Sequence, residues 1–565
     1  MAANMMLSLD TLPVEILHRI FDSLDTETIL FSVKYVCKRF NLITINYNRY
    51  KLNFKTIFKH TFHQLCRITY PENIISLTLS NENQTPGQIE LFLSLYRIEE
   101  YTRLQSVTLM AIEEYYLNII LKHLSTTCLL ISLVIQYELN SILSTETLLL
   151  LSLIIGKTSL RKLDLNLGYT ILDKFKWPLD CSVQYLRLPN RIRFDTFCMI
   201  LRCLRSIKTM ILRDCIINDI EEMNYLISDN TLYRQLTSLT FEDCDLKMTL
   251  IESILSLTPS LIHLTIIGNS DDLFDGARWE KFIQTKLPDL NKFQFAFQSN
   301  INISHDPIGL EALLISFQTS FWLETKQWLV TALCVQSSQF INLFTTQDCV
   351  SKINFHPKAN KIARSTASKV IEDKLTMDSV REMSLDLMEM QVDIIEKKEI
   401  SNHCLFNRLT RLTLQLHEDW PNGSLRLLSS FIDLSTITEL VLDINFTQSD
   451  SCNTTTCIIA LLEQTSSIRS LIILNRHVSL QTICSIVSNR VKNLQIPVNT
   501  VEETKMILKR FNHLFSVTFK FLGNSLSSIA EIIEWLVSKG RDFTYQSTQC
   551  SLNLWLGTSK ELFLN

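Results

Sequence analysis

The sequence predicts a mixed α/β chain: a short all-helical module at the N-terminus, then an α/β solenoid of stacked strand–helix units. Three observations carry this. Apolar residues recur at helical spacing between Leu12 and Phe40. From Ile74 onward the pattern apolar-x-x-apolar-x-apolar returns, mostly at spacings of 23 to 31 residues. Between its copies lie segments with helical apolar spacing, such as Tyr115 to Leu124 and Met248 to Leu257.

The N-terminal module comes first. Asp10 and Thr11 offer side-chain oxygens as an N-cap, and Pro13 suits a first turn where an N–H has no partner. Glu15 favours the positive end of the helix dipole. Ile16, Leu17, Ile20, Phe21 and Leu24 then follow at helical spacing, and Asp25 and Thr26 restart the pattern. Ile29, Leu30 and Val33, then Val36, Cys37 and Phe40, supply two more short helices. So much apolar surface on so few residues predicts that part of it meets a partner. The alternative is a helical cap covering the domain that follows.

These residues resemble an F-box, over about residues 8–50. The shared features, in order, are Leu12-Pro13, Glu15, the pair Ile20-Phe21, and Val36-Cys37-Lys38-Arg39-Phe40. Thr28 departs from the acidic residue common at its place. The resemblance implies docking on a Skp1-like adaptor, and through it on a cullin-RING ubiquitin ligase. It implies Leu12, Pro13, Ile16, Ile20, Phe21, Leu24, Val36, Cys37 and Phe40 as the adaptor-facing or module-packing set. Sequence alone does not divide that set into its two roles.

The repeat is next. Copies include Ile74/Leu77/Leu79, Leu104/Val107/Leu109, Leu160/Leu163/Leu165, Leu236/Leu239/Phe241 and Leu290/Phe293/Phe295. Weaker copies begin at Val350 and Val380, and clear ones resume from Leu409 to Phe519. This period resembles leucine-rich repeats, in which the last two apolar residues alternate on a strand and face inward while a helix covers them. One such unit cannot close its own core, so units stack. Helices are expected at Thr196 to Leu204 and Asp219 to Ile227 as well. The asparagine or cysteine that usually follows the strand is mostly missing; Asp214-Cys215 and Asp243-Cys244 come nearest.

The resulting organisation is an F-box at 8–50, a helical linker at 51–73, leucine-rich repeats at 74–298, an irregular insertion at 299–378, and repeats with a C-terminal cap at 379–565. In the insertion, the aromatic stretch Ser316 to Trp328 suggests a strand pair, and Lys358 to Lys374 a loop leading into a helix. The segments Asp271 to Glu280 and Ser316 to Val330 also resemble parts of F-box proteins from bdelloid rotifers.

Composition narrows the function. Fifty-four basic and 58 acidic residues leave a net charge of −4, with no basic block to suggest nucleic acid. The richest apolar run, Leu148 to Ile155, is far short of a membrane span, which needs about 20 residues. The first residues show neither a basic nor an apolar region of a signal peptide, so a cytoplasmic or nuclear protein with reduced thiols is expected. Asn445-Phe446-Thr447 then has no glycosylation role.

The sequence carries no recognisable motif of catalytic or metal chemistry. No C-x-x-C occurs among the 15 cysteines, which argues against a zinc RING. The 10 glycines form no phosphate-binding loop, and there is no G-x-S-x-G or H-E-x-x-H. His60, His63 and Cys66 have ligand-like spacing, but read more simply as one helix. Asp271, Asp272 and Asp275 before Gly276 resemble a calcium loop without its bidentate glutamate, since Phe282 stands there. Pairs such as Glu99-Glu100, Glu221-Glu222 and Glu502-Glu503 read as helix starts. No cofactor and no enzymatic activity are expected.

The leading expectation is a substrate-recognition subunit of an SCF-type ubiquitin ligase, with an unknown target protein bound by the solenoid. The alternative is a leucine-rich scaffold whose N-terminal helices act as a cap. Residues flanking the inward strand positions should line the open face: Lys162, Asp164, Tyr185, Arg187, Arg213 and Glu242, with His263, Arg411, Glu439 and Asp443 further along. Arg187 and Arg213 on successive strands suggest a basic patch bounded by Glu242, suited to acidic or phosphorylated segments. The competing expectation is that they pair with Asp214 or Glu242.

Overall fold

The computed structural model describes residues 9–557 except 128, 138–142, 168–174, 189–191, 214–231, 300–306, 336–339, 346–351, 356–360, 367–379, 388–405, 417–419, 422, 445–451, 475–479 and 522–525. Two large sheets organise them. The first begins with strands that pair in parallel and in chain order: β1 (Tyr50–Asn53), β2 (Ile74–Ser80), β3 (Ser106–Ile112), β4 (Ser132–Tyr137), β5 (Lys162–Asn166), β6 (Tyr185–Leu188), β7 (Thr209–Arg213), β8 (Ser238–Cys244), β9 (His263–Asn269) and β10 (Lys292–Ser299). Connections between them carry helices, among them Glu114–Thr126, Phe194–Cys203 and Met248–Ser256.

The apolar pattern sets the register. Leu77 pairs with Val107, Val107 with Leu133, Leu133 with Leu163, and Leu163 with Leu186. The row continues through Met210, Leu239, Leu264 and Phe293. Every member is buried, while its strand neighbours such as Ser238, Thr240 and Gln294 are half-buried. Alternation of this kind is what one covered face and one open face require. The register shifts between Tyr50 and Lys51, between Met110 and Ile112, and between Phe241 and Cys244, where Asp243 takes a φ of 52°. Gly268 lies opposite, and a Cβ there would stand 2.2 Å from the Cys244 carbonyl oxygen.

Beyond β10 the parallel order ends. Strand β11 (Thr331–Val335) pairs antiparallel with β12 (Phe340–Phe344), which pairs antiparallel with β10. Strand β13 (Lys352–Phe355) leaves this sheet and opens the second one, whereas β14 (Lys361–Ser365) returns and pairs with β11. The second sheet then runs parallel through β15 (Glu382–Asp386), β16 (Arg411–Leu416), β17 (Glu439–Ile444), β18 (Ser470–Ile473), β19 (Asn493–Val498) and β20 (Ser516–Phe521). It closes with the antiparallel strands β21 (Phe543–Ser547) and β22 (Ser551–Leu556), β22 lying against β20. Among the described residues the sheets hold 13 and 9 strands, so the chain is mixed α/β with two large mixed sheets.

Several expectations change here. The segment 51–73 is more than a helical linker, because it carries most of β1 before the helix Lys59–Ile68. Ser316 to Trp328 is not a strand pair: it holds a π-helical turn, Phe321–Thr325, inside an aromatic core. Trp322 and Phe317 are fully buried there, with ring centroids 4.9 Å apart. Residues buried on all sides carry no alternation to read. The stretch from Lys358 contains β14 rather than only a loop. The expected helix at Asp219 to Ile227 and the residues Asp214-Cys215 lie outside the described residues.

Candidate functional site

The N-terminal module consists of α1 (Val14–Asp22), α2 (Thr26–Phe31), a 3-10 turn at Val33–Tyr35, and α3 (Lys38–Asn46). The first cap differs from expectation. Asp10 and Thr11 lie in a separate 3-10 turn, and Pro13 itself holds the N-cap position with a ψ of 149°. Its extended backbone starts the helix at Val14, the residue after the ring. Asp25 caps α2, its Oδ1 accepting from the Thr28 N–H at 2.6 Å. Cys37 caps α3, its Sγ accepting from the Phe40 N–H at 3.5 Å.

One side of these helices is fastened to the body. Leu17 and Phe21 of α1, Ile29 and Leu30 of α2, and Phe40 and Ile43 of α3 are buried. Tyr47 stacks edge-on against Phe21 and Tyr50, at 5.6 and 5.0 Å. Its hydroxyl donates to Asp22 Oδ1 at 2.7 Å, and Arg49 pairs with the same carboxylate. Burial, then the Asp22 hydrogen bond and charge, hold the Tyr47 hydroxyl well above its ordinary pKa. The Thr26 hydroxyl donates to the Lys51 carbonyl at 2.8 Å and accepts from the Lys51 N–H at 3.2 Å. This ties α2 to β1.

Other apolar residues of the module are exposed. Tyr35, Val36, Leu42 and Ile45 are 73%, 66%, 62% and 55% exposed, and Leu9, Val14, Ile16 and Phe31 join them. Apolar exposure this concentrated marks an interaction surface. The structure thus distributes the expected set. Phe21 and Phe40 are core residues. Leu12, Ile20, Leu24 and Cys37 are half-buried and pack against the core. The Leu12 carbonyl also accepts from the Arg39 guanidinium at 2.6 Å. Pro13, Ile16 and Val36 face out.

Sequence reasoning did not single out Tyr35, Leu42 or Ile45. The available signal was phase: Phe40, Ile43 and Thr44 mark the buried side of α3, so Leu42 and Ile45 are apolar residues out of phase with it.

The open face of the first sheet carries the second group of candidates. Lys162 lies over the Tyr185 ring at 5.2 Å. Arg187 donates to Glu242 at 3.0 Å and lies 3.9 Å from Asp164. Burial raises the Asp164 carboxyl above its ordinary pKa, opposed by the Arg187 and Lys162 charges. Arg213 pairs with Asp243 at 2.7 Å. In register Arg187 stands beside Ile211, so Arg213 lies two positions further along its strand. The expected basic patch therefore does not form, since each arginine is already matched by a carboxylate. His263 is exposed. Arg411 and Glu439 pair across β16 and β17 at 3.0 Å, and Asp443 lies further along β17.

The open face of the second sheet is partly occupied. Ser516, Thr518, Asn553 and Trp555 of β20 and β22 are buried, although they point away from the second sheet's apolar core. Trp555 belongs instead to the core of the first sheet.

Other candidates are placed as follows. His60, His63 and Cys66 lie on the helix Lys59–Ile68. Burial lowers both imidazole pKa values and pushes the Cys66 thiol up to about 12. Asp275 caps the helix Gly276–Lys286 through the Arg278 N–H, and Asp271 accepts from the Ser299 hydroxyl. Among the described residues no group of three or more histidine, cysteine, aspartate or glutamate side chains is arranged to hold a metal. Glu99-Glu100 sit in a 3-10 turn and Glu502-Glu503 in the first turn of the helix Val501–Arg510; Glu221-Glu222 lie outside the described residues. The run Leu148 to Ile155 falls in the helix Thr145–Ile155, and no described helix is long and apolar enough to cross a membrane.

Set against known families, residues 9–51 match the F-box-like family. No curated protein matches the chain. The module described above is an F-box-like domain, and its match ends where β1 begins the sheet.

Proposed function

We propose that the chain is a substrate-recognition subunit of an SCF-type ubiquitin ligase. Its F-box-like helices dock on a Skp1-like adaptor, and the body, read as a degenerate leucine-rich-repeat solenoid, binds a target protein. The cullin and RING partners would supply the ubiquitin chemistry, so this chain needs no catalytic residue. The setting would be the cytoplasm or nucleus. One observation carries the reading: the F-box-like helices bury one face on β1 and leave Tyr35, Val36, Leu42 and Ile45 exposed.

The scaffold alternative draws on the same attachment, because Thr26 and Lys51 join the helices to the first sheet as a cap would be joined. A cap has no need of these exposed apolar residues. The test is a pull-down of purified Skp1-like adaptor by the full chain, compared with the double variant Leu12→Ala, Pro13→Ala. Capture by the unmodified chain and loss in the variant, with unchanged thermal unfolding, supports docking. Failure of the unmodified chain to capture the adaptor leaves the scaffold reading.

For target recognition, the support is the open face of the first sheet between β5 and β8, where charged side chains of both signs are partly exposed. Mixed signs suit a protein surface better than a polyanion.

A further inference from the structure

We propose that residues 54–92, 513–521 and 542–557 form a clasp that holds the two sheets closed on one another, with β21 and β22 serving as its C-terminal jaw. This goes beyond adaptor docking and does not depend on it.

The contacts join residues more than 450 positions apart. Trp555 on β22 is fully buried, donates its indole N–H to the Ile57 carbonyl at 3.2 Å, and sits edge-on to Phe62 at 5.5 Å. Phe58 meets Phe515 at 5.0 Å. Lys59, only 2% exposed, pairs with Asp542 at 2.7 Å. The Thr544 hydroxyl donates to the Pro86 carbonyl at 2.7 Å, and Asn553 Nδ2 to Asn83 Oδ1 at 3.3 Å. Gly87 completes the fit. Its φ is +71°, and a Cβ there would lie 3.1 Å from the Thr544 Cβ.

Each part has a physical role. Burial of Trp555, Phe62 and Phe515 supplies the attraction. The ammonium of Lys59 cannot be buried unpaired, so it demands Asp542 at one place and fixes the register of closure. At the far end, β13 and β14 belong to different sheets but are separated by only five residues of chain. The sheets are therefore joined covalently at one junction and by the clasp at the other. Only the second junction can open without breaking the chain.

The test is hydrogen exchange on the full chain. Asp542→Lys places a second cation beside buried Lys59. Backbone amides of 54–92 and 543–556 should then exchange about tenfold faster or more, while those of β15 to β17 keep their rates. The double variant Lys59→Met, Asp542→Leu removes both charges and should keep the slow exchange of the unmodified chain. Unchanged exchange at 54–92 in Asp542→Lys overturns the clasp. So does a uniform rise throughout the chain, which would report global unfolding, or fast exchange in the charge-free double variant.

Discussion

Arg187 on β6 reaches across β7 to hydrogen-bond Glu242 on β8, Nη2 to Oε2 at 3.0 Å. The guanidinium is thereby spent on the protein's own carboxylate, with Asp164 on its other side. Arg187→Glu would gather three carboxylates on neighbouring strands. Because Arg187 is a third exposed, solvent screens part of the effect, and a loss of about 1–2 kcal/mol is expected. Arg213→Ala breaks a pair whose members are both half-exposed and should cost less than about 0.5 kcal/mol. Urea midpoints of the two variants check the order, and equal losses would contradict it.

Leu239 is fully buried in the aligned row of the first sheet, while Ser238 beside it is half-buried. Leu239→Asp should cost several kcal/mol, roughly 3 or more, or prevent folding altogether, since it places an unpaired charge in a dry core. Ser238→Asp should be mild. Soluble yield and thermal midpoints of the two proteins test the register directly, because a slip of one residue would exchange their effects.

The two faces of the F-box-like domain should respond differently to substitution. Phe21→Ala leaves a cavity beside Tyr47 and should destabilise the domain by about 3–5 kcal/mol. Val36→Asp and Leu42→Asp alter exposed positions, so stability should change by less than about 0.5 kcal/mol. Those two should nevertheless abolish capture of a Skp1-like adaptor. Retained capture with both aspartates in place would remove the exposed face from the docking surface.

Stability should fall as the solution is acidified below neutral, in part because of three histidines. Burial lowers the pKa of His60, His63 and His513 below the ordinary 6.5. For such a group the unfolded chain takes up a proton first. Its contribution is therefore complete above pH 6.5 and is lost as pH drops through that value toward the folded-state pKa. Replacing all three with Gln should flatten the change in urea midpoint between pH 7 and pH 5. An identical slope in the variant would show that other groups set the dependence.

Much of the strand register could be read from the sequence, and the reason is local. Residues such as Leu163, Leu186 and Met210 each sit in a short copy of one pattern, and parallel neighbours repeat the same environment. Where environments stop repeating, the pattern fails. Phe317, Phe321, Trp322 and Trp328 form an aromatic core with no period. The antiparallel return of β12 onto β10 depends on partners far apart in sequence, as does the meeting of Trp555 with Ile57. At the F-box-like domain the motif was visible, but its division into core and surface was not. Phe21 and Val36 belong to the same motif, and only the packing of α1 to α3 places one inside and the other out.

The exchange of β13 and β14 between sheets has a consequence for biogenesis. A ribosome releases β13, which belongs to the second sheet, before β14, which finishes the first. The growing chain must therefore leave β13 waiting for β15 while β14 completes the edge beside β11. An unpaired strand edge held in that way is open to mispairing and aggregation. A gene fragment stopping between the sheets would orphan a strand wherever it was cut: ending before β14 strips the first sheet of its edge, and ending after it strands β13. The two sheets are thus one inheritable unit, and recombination between them should be harder to survive than exchange of a single strand–helix repeat.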